Sequence, residues 1–228
     1  MKHIIKNSPP AELKSWFDGQ LIEGERINCS YDDLPAEVKQ RIKQRLLAEQ
    51  GHLCCYTGIR IDEADSHIEH LKPQDRCQGH EDVDYHNLLA AYPGNGRSCQ
   101  FGAVKKGNWY DENLLISPLH GSCEGRFGFD QNGRVRAANA EDEGAKTTIK
   151  KLGLDNGSLT EMRKQAIQAA LFRRNQPKSK AQLKKIAESY CQRDNENKFR
   201  SFCFVIQHAA DRLLQKAERK RQRRLANQ

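Results

Sequence analysis

The stretch His67-Ile68-Glu69-His70-Leu71-Lys72-Pro73-Gln74 sets two histidines around a glutamate inside a short apolar alternation and stops on a proline. In an extended strand residues two apart share a face, so His67 and Glu69 point one way while Ile68 and His70 point the other. Pro73 cannot donate to a ladder and ends the strand. Three of the five residues from His67 to Leu71 are ionisable, and a buried strand that spends so many positions on charge must supply each with a partner or bear its desolvation. Two readings follow. One is an exposed edge strand with a hydrogen-bonded polar pair. The other is a metal-assisted hydrolytic site, in which a carboxylate offers a hard oxygen to a divalent ion and a neutral imidazole accepts a proton from water.

Working outward, the helical period vanishes between Gly51 and Tyr110, and this region holds five of the eight histidines (His52, His67, His70, His80 and His86) and four of the eight cysteines. Chemistry, if present, belongs here. Beyond it, residues 126–137, RFGFDQNGRVRA, alternate on both sides of Asn132-Gly133, the pair that best suits a type I′ turn, and predict a hairpin. On the other side, Ser8 with Pro9 and Gly19 frames one helix, and Asp33 opens a second that runs to Gly51 with Leu34, Val38, Ile42 and Leu46 on one face. Ser158 and Glu161 form a capping-box pattern for a helix ending before Pro177, and Ser179 opens another. From Phe199 onward, Phe202, Cys203, Ile206, Ala210 and Leu213 fall on one stripe that reads as core.

Composition narrows the setting. The chain has 228 residues, enough for one substantial core, and no run of eighteen apolar residues that would span a bilayer. The start, MKHIIKNSPP, has too short an apolar segment for a signal peptide, so a cytoplasmic location is expected, with the cysteines as thiols rather than disulfides. The net charge is +8, and residues 212–228 set seven basic side chains against Glu218, which accounts for +6 of it. Arg219, Arg221, Arg223 and Arg224 in this tract suit phosphate contact through counterion release; the alternative is a solvated helix end.

The motifs taken in order carry a resemblance. CCYTGIRI (54–61), HIEHLKP (67–73), YHNLLAAY (85–92) and SCQFGAVKKGNWY (98–110) together resemble the pattern of HNH nucleases, and the fit is closest to the nuclease subunit of the Septu anti-phage system, the PtuB-like group. The similarity extends through residues 116–135 and 147–167. It implies that His70 is the general base that activates water, that Glu69 is a ligand of the catalytic metal, and that Asn87 fixes the loop orienting His70. Mg²⁺ is the implied cofactor, with Mn²⁺ or another divalent ion as a substitute. His67, on the face of Glu69, is a candidate second ligand. At the third position this chain departs from the family's usual form: Cys99 is followed by Gln100, and the lysines come later. Asn108 is therefore a candidate metal ligand and Lys106 a candidate contact for the substrate phosphate. A structural zinc is not expected, because Cys54 and Cys55 are adjacent and Thr57 stands where a second ligand would be.

The expected architecture is α+β: a small ββα-metal core over 51–120, an N-terminal helical segment over 1–50, a hairpin and helical extension over 121–175, and a C-terminal helical region with the basic tail over 176–228. The resemblance implies an endonuclease of phage defence that acts on nucleic acid, DNA favoured, beside an ABC/SMC-like ATPase subunit, away from membranes. The same chemistry on RNA such as transfer RNA is the alternative, since the site attacks a phosphodiester and does not itself read the 2′-hydroxyl. A non-catalytic nucleic-acid-binding module is a third reading, against which Glu69, His70 and Asn87 argue.

Overall fold

The strands form short antiparallel pairs, and the helices do most of the enclosing. The computed structural model describes residues 1–22, 24–26 and 29–226, without the side chains of Ile22, Glu25 and Arg221. Helix α1 (Ala11–Gly19) leads into the pair β1 (Leu21–Ile22) and β2 (Glu25–Arg26), then α2 (Ala36–Glu49). The ribbon of β3 (His67–His70) and β4 (Leu88–Ala91) follows, then the single-turn helix α3 (Ala103–Lys106). Next come β5 (Phe127–Phe129), β6 (Val135–Ala137), α4 (Glu143–Lys151) and α5 (Gly157–Leu171). The small pair β7 (Phe172–Arg173) and β8 (Gln176–Pro177), α6 (Lys180–Ser189) and α7 (Cys203–Ala226) complete the chain. The class is α+β, and no helix among the described residues is long and apolar enough to cross a membrane.

One apolar cluster draws residues from all four expected segments, from Met1 through Ile42 and Leu88 to Phe127, Leu159 and Ala210. Helix α2 supplies its predicted face: Val38, Ile42 and Leu46 are buried, and Ile42 and Leu46 have no exposed surface. Burial of such a side chain contributes about 1.5–3 kcal/mol. β4, sequence LLAA, is buried at every position. Among the described residues no third strand lies at its outer edge, and the side chain of Gln50 takes that place: Oε1 accepts from Ala90 N at 2.7 Å while Nε2 donates to Ala90 O at 2.8 Å and Leu53 O at 2.7 Å. The Cys55 amide adds a second bond to Ala90 O at 3.1 Å. A buried edge without these partners would carry unsatisfied backbone groups.

The caps differ from the predicted ones. Pro10 and Pro35, in extended conformation, stand at the N-caps of α1 and α2 without side-chain caps. Asp33 instead closes its own turn, with Oδ2 accepting from Ser30 N and Oγ at 3.0 and 2.6 Å. Asn156, not Ser158, caps α5, accepting from the amides of Ser158 and Leu159. Ser179 does form a capping box with Gln182 at the start of α6. The 126–137 hairpin is present, but Phe129 pairs with Val135, so five residues make the connection rather than the two of a type I′ turn. Asp130 Oδ1 organises that loop by accepting from Asn132 N at 2.8 Å and Arg134 N at 3.0 Å. Gly133 is required: its φ is +77°, and a Cβ there would meet Thr160 O on α5 at 2.3 Å.

Candidate active site

β3 pairs with β4 in the register His67–Ala91, Ile68–Ala90, Glu69–Leu89 and His70–Leu88, with all four β3 residues half-buried. The alternation puts His67 and Glu69 on one side, where their functional atoms come within 3.7 Å, Nε2 to Oε2. This is an ion-pair distance and too long for a hydrogen bond. Glu69 Oε1 is more closely held: Lys106 Nζ lies at 2.9 Å and the Tyr56 hydroxyl donates at 3.2 Å. Burial pushes the Glu69 carboxyl up, but His67 and Lys106 outweigh it and hold the group below its ordinary range. Burial pushes His67 down; the Glu69 carboxylate and the Pro93 carbonyl, 2.5 Å from Nδ1, outweigh it and leave its pKa raised. Nδ1 carries a hydrogen towards the Pro93 carbonyl, and Nε2 faces the Glu69 carboxylate.

His70 faces other partners. Its Nε2 is 2.9 Å from the carbonyl oxygen of Asp82, and its ring meets the Tyr31 ring edge-on with centroids 4.5 Å apart. A carbonyl only accepts, so Nε2 carries the hydrogen and Nδ1 keeps the lone pair that can take a proton. Burial lowers the pKa of this imidazole, more than the Asp82 carbonyl raises it, which favours the neutral form a base requires. Asp82 is itself fixed, because its Oδ2 accepts from Tyr31 N at 2.6 Å.

Asn87, at the end of a short 3-10 turn (Tyr85–Asn87), staples the loop after β3. Its Oδ1 accepts from Lys72 N at 2.7 Å; its Nδ2 donates to Lys72 O and Glu81 O, both at 3.0 Å, with Cys77 Sγ at 3.4 Å. The bond to Glu81 O adjoins the carbonyl of Asp82 that holds His70. The amide of Leu71, next to His70, donates to Asn87 O at 2.9 Å. Asn87 thus sets the spacing of both chain segments between which His70 lies.

The remaining residues singled out from the sequence fall in different places. Lys106, expected to reach a phosphate, turns inward: its side chain is 1% exposed and Nζ donates to His70 O at 3.0 Å as well as meeting Glu69. The reason is the brevity of α3, whose last residue, preceding Gly107 at φ +50°, is aimed at β3. Asn108, a candidate ligand, donates to Asp75 Oδ2 at 2.6 Å on the surface. Arg219 and Arg223 line a groove beside the β5–β6 hairpin, Arg224 is exposed on α7, and the side chain of Arg221 lies outside the described residues. Sequence reasoning missed Tyr56, Tyr31 and Asp82. A buried tyrosine signals a need for a hydroxyl partner, but Asp82 holds His70 through its backbone, which no side-chain pattern reveals.

Among the described residues no group of three or more His, Cys, Asp or Glu is arranged to hold a metal ion. Mg²⁺ does not demand such a group, since it keeps several waters and binds through one or two carboxylates plus substrate phosphates. Glu69 fits that lesser requirement through Oε2, the oxygen that no donor among the described residues reaches at hydrogen-bond distance, on a side chain 12% exposed. In its neutral form His67 carries its hydrogen on Nδ1, towards the Pro93 carbonyl, which leaves the Nε2 lone pair facing Glu69 Oε2 and compatible with a second ligand.

No family model matches the chain. Over 179 residues, 74% of this chain and 83% of the relative, its sequence is 27% identical to a protein of Vibrio cholerae serotype O1 biovar El Tor named "Retron Vc95 putative HNH endonuclease".

Proposed function

We propose that the protein is an endonuclease of the HNH type that hydrolyses phosphodiester bonds, with duplex DNA as the favoured substrate. The observation that carries this reading is the setting of His70: a half-buried imidazole whose Nε2 is engaged by a backbone carbonyl, whose Nδ1 is left as the basic atom, and whose pKa is lowered toward the neutral form. A water attacking phosphorus loses its proton to Nδ1. Asn87 keeps the imidazole in place by tying residues 71–72 to 77–81. Lys106 and Tyr56 keep Glu69, the preceding residue of the strand, ionised and oriented. A divalent ion, Mg²⁺ or in its place Mn²⁺, is part of the proposal; held by Glu69 Oε2, it would neutralise charge on the phosphate and the leaving oxygen.

The name of the Vibrio relative supports the endonuclease reading. The resemblance of the central motifs to Septu nuclease subunits supports a place in phage defence beside an ABC/SMC-like ATPase, and that partner belongs to the proposal. The test is cleavage of labelled duplex DNA and of RNA by the full chain, alone and with its ATPase, with and without Mg²⁺. Cleavage of DNA that requires His70 is the expected result. Cleavage confined to RNA would change the substrate and keep the chemistry; intact DNA and RNA under every condition would leave a binding module instead.

A further inference from the structure

Helix α7 changes character along its length. Its first turns bury Cys203, Ile206 and Ala210, and then positions 212, 216, 219, 220 and 223 place Arg212, Lys216, Arg219, Lys220 and Arg223 along one groove wall. The spacing i, i+4, i+7, i+8, i+11 is that of a single helix face. At 1.5 Å per residue the cationic stripe extends about 16 Å. The facing wall is the β5–β6 hairpin, which contributes Arg136 and the loop residues Gln131 and Asn132. Between them lies a cavity of about 820 Å³.

The groove is held in shape from both sides. Arg212 Nη1 donates to Phe129 O of β5 at 3.0 Å, fastening helix to hairpin, and the hairpin loop sits on α5 through the close approach of Gly133 to Thr160. Asp130, the acid among the lining residues, spends its Oδ1 on the loop amides of Asn132 and Arg134. Among the described residues the lining therefore presents six cationic side chains, from two elements fixed against each other, to a single channel.

We propose that this groove seats the phosphate backbone of a nucleic-acid duplex. A duplex carries one negative charge per about 1.7 Å of axis, so a 16 Å stripe faces several phosphates at once. Arginine and lysine with amide side chains between them are the residues that position a backbone without reading its bases. Among the described residues no aromatic side chain lines the groove; single strands are usually gripped by stacking bases on such rings, and this argues for a duplex. The proposal rests on the endonuclease reading only for the reason why a polyanion would be bound here.

The experiment measures binding without cleavage. Full-length protein carrying His70→Ala is titrated against fluorescent duplex DNA, duplex RNA and single-stranded DNA by anisotropy over a range of salt. Arg219→Gln/Lys220→Gln/Arg223→Gln is expected to weaken duplex binding at least tenfold and to reduce the slope of log K against log salt by about 0.9 for each lost phosphate contact. Arg136→Gln, on the opposite wall, is expected to reduce the slope by about 1, while Arg136→Lys retains it. Binding of both duplexes supports the shared phosphate chemistry, and the tighter of the two names the substrate. If Arg136→Gln leaves affinity and slope unchanged, the charges act as a tail and the groove is refuted. Single strands bound as tightly as duplexes would also overturn it. Cleavage by the protein with His70 intact is a separate readout: its failure beside the expected slopes would remove the endonuclease reading and leave the groove.

Discussion

Lys106 Nζ lies 2.9 Å from Glu69 Oε1, with the two side chains 1% and 12% exposed, and the same ammonium donates to the backbone oxygen of His70. A four-residue helix cannot sustain itself in water. α3 is held by this contact and by the bond from Gly102 N to Leu152 O at 2.7 Å. The ion pair therefore joins the helix to the strand that carries His67, Glu69 and His70.

Replacing Lys106 by Met is expected to destabilise the protein by about 3–5 kcal/mol, because it leaves the Glu69 carboxylate withdrawn from water without its main counter-charge. Adding Glu69→Gln should recover part of the loss. Urea unfolding of the two variants checks this; a single variant within about 1 kcal/mol of the parent would show that the pair contributes little.

His70→Ala is expected to lower the cleavage rate by about a hundredfold or more with the circular dichroism unchanged. Because burial lowers the pKa of His70, the basic limb of the pH–rate profile should reach its plateau below the pH at which an ordinary histidine, pKa 6.5, would. A rate limb rising above pH 7 would assign the proton transfer to another group.

Asn87→Ala should reduce both activity and stability. The substitution leaves Lys72 N and Glu81 O without the bonds that close the loop, and a loss of about 1–3 kcal/mol is expected for such groups where water does not replace the partner. Full activity at an unchanged melting temperature would end the positioning role.

The His67–Glu69 pair makes stability depend on pH in a defined sense. The pKa of His67 is raised in the folded chain above 6.5, so its contribution is fully present below that value and is lost as pH rises through the folded pKa. The pKa of Glu69 is lowered below 4.5, so its contribution is present above that value and is lost as pH falls through the folded pKa. The melting temperature should therefore be higher at pH 6 than at pH 8.5, by a margin that His67→Gln reduces. Equal margins in the two proteins would show that His67 is not the group responsible.

Much of the secondary structure was legible because it is local. The four-residue recurrence of Leu34, Val38, Ile42 and Leu46 marks a buried helix face, and three of these residues lie in α2 with that face inward. The alternation from Phe127 to Ala137 marks a hairpin. The Asn132-Gly133 pair misled as to the turn, since Asp130 organises a five-residue loop that places Gly133 against α5. Likewise Asn156 displaces Ser158 as the cap of α5 because it stands one residue before the first helical position.

The sequence by itself determined which residue types share a strand face, where helices carry apolar stripes, and that His67, Glu69 and His70 needed partners. Only the tertiary structure decided who those partners are: Lys106 and Tyr56 for Glu69, the Pro93 and Asp82 carbonyls for the two histidines, and the backbone of 72 and 81 for Asn87. It also set Arg136 opposite the basic stripe of α7, two elements far apart in the chain. The physical reason is that periodicity reports the direction of a side chain relative to its own element. What comes to stand in that direction depends on long-range packing, and a backbone carbonyl, present at every residue, leaves no mark in the sequence when it is the partner.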